Sequence, residues 1–96
     1  MKTEDFGRAC KNLENEVGRI SIDLMNLTVM LQDCVGKLVE SRTCWDNYDA
    51  LPAQIMLGDA IKAHKAVKLE VERICNALAC QQVMLTTLKG FADGKL

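Results

Sequence analysis

The chain has 96 residues, of which 49% are hydrophobic and 4% aromatic, and its formal net charge is -1. This length allows a single domain with a modest core. The balanced charge gives no electrostatic basis for binding DNA, RNA or an anionic membrane. No uncharged stretch approaches the roughly 20 residues of a membrane-spanning helix. The acidic N-terminal stretch lacks the apolar core of a secretory signal, so we expect a cytoplasmic protein, with export of a folded hairpin left open.

The first half of the chain has the apolar spacing of a long amphipathic helix. Steps of four and three residues alternate without interruption through Phe6, Cys10, Leu13, Val17, Ile20, Leu24, Leu27, Leu31, Cys34 and Leu38. This period keeps one edge of a helix against a partner helix. We predict a helix over residues 4–43, with Thr3 as its N-cap and two carboxylates in its first turn.

The same predicted helix carries a second apolar stripe. Its members are Gly18, Ile22, Met25, Val29, Val35 and Val39. One neighbouring helix covers only one stripe, so the second stripe needs another surface to pack against. A second copy of the chain or another helical protein would supply it. We predict that these six residues, together with Trp45 and Tyr48, form a partner interface.

Residues 44–51 predict a turn between two helices. Asp and Asn side chains in this stretch favour turns through local hydrogen bonds. Pro52 fits the first position of a following helix. We expect Trp45 and Tyr48 to fold back over the helix ends. Because the connection is short, the two helices are expected to lie antiparallel.

The second half of the chain predicts a helix over residues 52–89. Its seam again alternates steps of four and three: Ala60, His64, Val67, Val71, Ile74, Leu78, Gln81, Leu85 and Leu88. Gly58 and Asp59 could interrupt this helix, and the stretch from Lys89 to Phe91 resembles a stop, with Gly90 in the left-handed cap position. The fold class predicted is therefore all-α: an antiparallel two-helix hairpin, completing a four-helix bundle by dimerisation or with a partner.

The residues that could carry chemistry do not assemble into a site. His64 is the only histidine, and a seam position near a helix end explains it better than a role as ligand or base. We interpret the five cysteines as small apolar residues. We expect Cys44, at the turn, to be the most exposed of them. No Cys-x2-Cys pair, Glu-x-x-His pair or Gly-rich phosphate loop is present. We therefore expect no metal, no cofactor and no enzymatic activity.

The arrangement of two long helices with a tryptophan at the break near residue 45 resembles the WXG-type helical-hairpin proteins of type VII secretion. In that family a Trp-x-Gly turn joins the helices, whereas this chain has Trp45, Asp46 and Asn47. Asn also tolerates the left-handed conformation. The family's C-terminal export motif, Tyr-x-x-x-Asp/Glu, is absent from this chain. The resemblance implies a secretion partner or targeting chaperone that pairs with a larger helical protein.

Two other interpretations stay open. One is a self-contained four-helix homodimer with a regulatory or inhibitory role, including a phage-encoded one. Acidic residues in the first half of helix 1 and basic residues early in helix 2 fit head-to-tail pairing of antiparallel copies, although a solvated surface explains them too. The other is a small ligand-binding or thiol-active protein that uses His64 or Cys44.

Overall fold

A computed structural model describes residues 2–95 and shows two long α-helices packed against each other. Helix α1 spans Thr3–Asp46, with 44 residues, and α2 spans Ala50–Lys95, with 46 residues. The described residues contain no strand. The predicted all-α helical hairpin is therefore confirmed. Neither helix is sufficiently long and apolar to cross a lipid bilayer, as judged over the described residues.

The turn is shorter than predicted, and its geometry is that of a Schellman motif. The amide of Tyr48 donates a hydrogen bond to the carbonyl of Trp45 over 3.0 Å. The amide of Asp49 donates one to the carbonyl of Cys44 over 2.8 Å. Tyr48 has the positive φ of 63° that this motif requires. The left-handed residue is thus Tyr48 and not Asn47.

These bonds extend α1 three residues beyond the predicted end at residue 43, so Trp45 lies within the helix. Asp49 is the N-cap of α2, because its carbonyl accepts the first intrahelical hydrogen bond, from the amide of Ala53 over 3.2 Å. Pro52 falls in the first helical turn, where its missing amide hydrogen costs nothing. Trp45 and Tyr48 do not fold back as expected, since they are 64% and 97% exposed.

Helix α2 continues without a break through Gly58 and Asp59, and it does not stop near Gly90 as predicted. None of the described glycines has a positive φ, so Gly90 remains helical. Lys89 and Asp93, which lie one helical turn apart on either side of this glycine, form an ion pair of 2.6 Å. The ring of Phe91 also packs against Phe6, with 5.2 Å between centroids. Both contacts favour continuation of the helix.

The chain divides into two compact units. The turn unit is Leu24–Glu72, and the terminal unit combines the described residues up to Asp23 with those from Arg73 onward. The buried residues lie at one heptad position of each helix, and on α1 the series is interrupted at Leu27, which is half-buried. The buried positions are Leu13, Ile20 and Cys34 on α1 and Ala53, Ala60, Val67, Ile74, Gln81 and Leu88 on α2.

The two units differ in the size of the residues at the helix contact. In the turn unit, Ala53 and Ala60 face Ser41 and Cys34, and the hydroxyl of Ser41 donates to the Ala53 carbonyl over 2.7 Å. The thiol of Cys34 donates to the Ala60 carbonyl over 3.5 Å. Such short side chains reach the opposite backbone only where two helices approach closely. The terminal unit uses larger residues and an Arg73–Asp23 ion pair of 3.0 Å.

Candidate interaction surface

Half of the predicted helix seam is left partly open. Four apolar residues on each helix are 39–49% exposed, and each follows an inward-facing heptad position by four residues. These residues are Val17, Leu24, Leu31 and Leu38 on α1 and Leu57, Val71, Leu78 and Leu85 on α2. We call this set the apolar face. Seven of these residues belong to the two predicted seams and were expected to lie in the contact between the helices, whereas Leu57 lies beside the start of the α2 seam. Helices α1 and α2 cover each of the eight only in part.

The geometry of the helix explains this outcome. Four residues advance an α-helix by one turn plus about 40°, so the apolar face lies beside the line of closest contact. In the turn unit, alanines of α2 occupy the line of closest contact. There, short side chains of α1 donate hydrogen bonds to backbone carbonyls of α2. Large residues such as Leu38 and Leu57 therefore stand at the side of the contact. None of the described large side chains is fully buried.

An apolar groove runs along this side of the turn unit. It encloses about 290 Å³ and is lined by Cys34, Leu38, Leu57, Ala60, Ile61, His64 and Lys65. Its floor is the buried pair Cys34 and Ala60, and its walls are the half-exposed leucines. His64 and Lys65 lie at its rim. We call it the turn groove.

A second cavity of about 380 Å³ continues from the turn groove, because Leu38 and Leu57 line both. Trp45 and Arg42 form its outer wall. The lining of these two cavities includes the basic side chains of Arg42 and Lys65, the imidazole of His64 and no carboxylate. The charged side chains that line these two cavities are therefore the cations Arg42 and Lys65.

The terminal unit has a corresponding groove. It encloses about 340 Å³ and is lined by Cys10, Leu13, Glu14, Val17, Leu85 and Leu88. Its floor is again the buried pair of the seven-residue repeat, Leu13 and Leu88, and its walls are Val17 and Leu85. The charged residue among those lining it is Glu14, which forms an exposed contact of 3.5 Å with Lys11. We call it the terminal groove.

The predicted partner-interface residues are exposed, as a partner interface requires. Ile22, Met25, Val29, Val35 and Val39 are 43–70% exposed, and Gly18 is exposed beside them. Ile22 and Val29 follow inward-facing positions by two residues, which turns them to the far side of α1 from α2. Trp45 lines the cavity next to the turn groove, and Tyr48 lines a separate cavity with Trp45 and Ala50. The stripe and the two aromatics thus lie on different surfaces.

The candidate chemical residues remain dispersed. No cluster of three or more His, Cys, Asp or Glu side chains able to hold a metal occurs within residues 2–95. Cys34 is buried and Cys10 half-buried, in keeping with their seam positions. Cys44 is also half-buried, whereas Cys75 and Cys80 are exposed, so the expectation that Cys44 is the most exposed thiol is wrong. A hydrogen bond to Asp33 raises the pKa of Lys37, and both side chains lie at the surface outside the turn groove.

Comparison of the chain with protein-family models, with curated proteins and with solved structures finds no match in any of the three.

Proposed function

We propose that the protein is a non-enzymatic helical interaction module that packs its apolar face against another helical hairpin to form a four-helix bundle. The observation that carries this proposal is the half-exposed state of the eight apolar-face residues. A side chain that two neighbouring helices bury together is only half covered when one of those helices is present. Positions of this kind are the shared core of a four-helix bundle.

The exposed area supports the same proposal. The chain has an accessible surface of 7263 Å² and a mass of 10.7 kDa. A compact monomer of this mass exposes about 5,500 Å². The excess is roughly 1,800 Å², which is within the range that one subunit contributes to an obligate helical interface. Covering one half-exposed leucine contributes roughly 1 kcal/mol, so the eight positions together supply a strong driving force for association.

The resemblance to WXG-type hairpins supports a narrower role within this proposal. It favours a secretion partner or targeting chaperone that pairs with a larger helical protein. The second candidate is a four-helix homodimer with a regulatory or inhibitory role, which is favoured by the presence of apolar grooves in both units. Both candidates use the apolar face, so one experiment tests the feature they share.

The test replaces Leu38 with Glu and compares it with the same change at Leu69. Leu69 is 67% exposed on α2 and lines none of the described cavities, so it is a matched control. Native mass is measured by light scattering after gel filtration, in reductant and over a wide concentration range. Binding of a hydrophobic dye reports uncovered apolar surface, and far-ultraviolet circular dichroism reports helix content.

If the parent protein associates, we expect Leu38→Glu to abolish association. If the parent protein is a monomer that binds the dye, we expect Leu38→Glu to abolish dye binding. Helix content should stay unchanged in either case. Leu69→Glu should behave as the parent protein does. A parent chain that is monomeric and binds no dye at any concentration would contradict the proposal. Equal behaviour of the two variants would contradict it too.

A further inference from the structure

The turn groove and the cavity that continues from it combine an apolar lining with one basic side chain at each end. We infer that this surface binds an amphipathic helix of another protein, in which the apolar side chains are flanked at both ends by carboxylates. Such a helix would be the part of the partner hairpin that covers the turn unit, so the inference rests on the proposed function and adds the chemistry of the partner. All the residues involved belong to the turn unit.

The apolar lining suits the side of a third helix. Cys34 and Ala60 form its floor, and Leu38, Leu57 and Ile61 rise beside them with 46–51% of their surface exposed. An open apolar channel between two helices is a common docking site for an amphipathic helix, whose anchors recur at i, i+3, i+4 and i+7. We therefore expect the partner helix to present one apolar side at this spacing.

The contact between α1 and α2 fixes the separation of the two cations along the groove. Because the hydroxyl of Ser41 bonds to the carbonyl of Ala53, Arg42 is level with the residue before Ala53 on the antiparallel helix. Lys65 lies thirteen residues beyond that level. At 1.5 Å per residue the two cations are roughly 20 Å apart along the helix axis. Carboxylates that match them on a partner helix would also stand about thirteen residues apart, with the apolar anchors between them.

Both cations are available to a partner. Arg42 and Lys65 are exposed, and neither takes part in an ion pair within residues 2–95. Asp46, one helical turn beyond Arg42, lines neither cavity. A carboxylate that reaches either cation from a docked helix would form a charge-assisted hydrogen bond that the chain itself does not supply.

Two carboxylates of the same unit act on the other side of the helix contact. Lys37 and Leu38 turn to opposite sides, because they follow the inward-facing Cys34 by three and four residues. A hydrogen bond to Asp33 raises the pKa of Lys37, and the charges of Asp33 and Asp59 add to this effect. These two carboxylates are thus engaged with Lys37, and the groove side keeps its cations.

A second copy that presents its own turn groove supplies the wrong charge. A two-fold axis would place one turn groove on the other and bring Arg42 and Lys65 of both copies to the same narrow surface. Like charges that lose part of their hydration in this way oppose association. A helix with a carboxylate at each end of its apolar stripe pairs with both cations instead.

The test uses two synthetic helices as probes for the turn groove of the full-length protein. The acidic probe is a capped, alanine-rich peptide with leucines at i, i+3, i+4 and i+7 and a glutamate at each end of this stripe, about thirteen residues apart. The basic probe has lysines in place of both glutamates, and neither probe contains tryptophan. Trp45, the only tryptophan of the chain, is 64% exposed and lines the second cavity, so a blue shift of its emission reports binding.

Charge reversal at the groove is compared with the same change outside it. Lys65→Glu is made alone and together with Arg42→Glu. Lys62→Glu is the matched control, because Lys62 is exposed on the same helix, its replacement changes the net charge equally, and it lines neither cavity. Leu38→Glu tests whether probe binding uses the apolar lining, and circular dichroism verifies that each variant is folded.

We expect the parent protein to bind the acidic probe roughly tenfold more tightly than the basic probe, because two favourable charge pairs replace two unfavourable ones. Lys65→Glu should weaken binding of the acidic probe by roughly three- to fivefold, and the double variant should prefer the basic probe. Lys62→Glu should bind both probes as the parent protein does. Leu38→Glu should bind neither, because it places a charge in the apolar lining.

Two results would overturn the inference and leave the proposed function intact. In the first, the parent protein binds hydrophobic dye through Leu38 but binds both probes equally or binds neither, so that charge does not select the partner. In the second, the parent protein is a dimer that Leu38→Glu dissociates and that excludes both probes, which would mean that a second copy covers the groove. Failure of the proposed function gives a different result, a parent protein that neither associates nor binds dye or probe.

Discussion

The hydroxyl of Ser41 donates a hydrogen bond of 2.7 Å to the backbone carbonyl of Ala53 on the opposite helix. Seven residues away on each helix, the thiol of Cys34 makes the equivalent contact with the carbonyl of Ala60, over 3.5 Å. Both contacts need the two helices to be close, and small side chains at all four positions permit this. As a consequence, the larger residues of the turn unit are displaced to the side, where they form the turn groove.

The first prediction concerns this close contact. Replacing Ala53 with Leu inserts three carbon atoms at a position that is 4% exposed. We expect the free energy of unfolding to fall by about 1–3 kcal/mol, because the helices must separate or the new side chain must adopt a strained rotamer. Urea unfolding followed by circular dichroism measures this change.

Ala66→Leu is the control, since Ala66 is exposed on the same helix and in the same unit. Its effect should lie within about 0.5 kcal/mol of the parent. If Ala53→Leu were equally harmless, the closest approach of the helices would have to lie elsewhere.

The second prediction concerns the strained turn. Tyr48 has a φ of 63°, a region in which a bulky residue is disfavoured by about 1–2 kcal/mol. Tyr48→Gly removes this cost, although it adds flexibility to the unfolded chain. We expect a net gain of about 1 kcal/mol in stability, seen as a higher urea midpoint with an unchanged m-value.

Asn47→Gly should have the opposite effect, because Asn47 has a negative φ and gains nothing from glycine there. We expect a loss of about 0.5–1 kcal/mol. A stabilising Asn47→Gly together with a destabilising Tyr48→Gly would mean that Asn47 is the left-handed residue after all.

The sequence was sufficient to predict the helices and their order, because the alternation of four and three residues is regular over most of the chain. It was insufficient for the turn. A Schellman motif usually has Gly or Asn at its left-handed position, so propensity pointed to Asn47. The actual choice of Tyr48 depends on where α1 ends, which the tertiary contact of Ser41 with Ala53 helps to determine.

The stop at Gly90 failed for a related reason. Glycine after a basic residue is a good local signal for a helix end, but Phe91 packs on Phe6 and outweighs it. The candidate surface was also only partly predictable. A heptad seam indicates which residues face a partner helix, yet it does not tell whether one neighbour or two cover them. Ala53 and Ala60 were the available signal, since alanines at a contact bring two helices close and leave adjacent leucines outside.

The third prediction concerns the polar residue within the apolar surface. His64 occupies the same heptad position as Leu57 and Val71 and lines the turn groove. In a complex that covers this groove, His64→Leu replaces a polar ring by an apolar side chain of similar size. We expect the dissociation constant to fall by about fivefold, because more apolar area is removed from water.

Lys62→Leu provides the comparison, because Lys62 is exposed on the same helix and does not line the groove. It should leave the dissociation constant unchanged. A weaker complex for His64→Leu would show instead that the imidazole makes a hydrogen bond across the interface.

The last prediction separates the two apolar surfaces of α1. The pattern of apolar residues in the sequence predicts a partner interface on the stripe that includes Met25 and Val29, which are 70% and 64% exposed. The proposed function instead uses the apolar face, which includes Leu24 and Leu31, 49% and 44% exposed. Two double variants on the same stretch of helix, Met25→Ser with Val29→Ser and Leu24→Ser with Leu31→Ser, distinguish these surfaces by native mass.

We expect the change at Leu24 and Leu31 to abolish association, because in the proposed bundle each leucine is covered from one side by its own hairpin and from the other by the second hairpin. The change at Met25 and Val29 should leave association intact, since a residue on the far side of α1 from α2 lies outside a bundle built on the grooves. The serine substitutions change the intrinsic helix propensity of α1 by a similar amount in both variants, so a difference in native mass would come from the interface. The reverse result would mean that the stripe joins two chains and that the grooves are open to another protein.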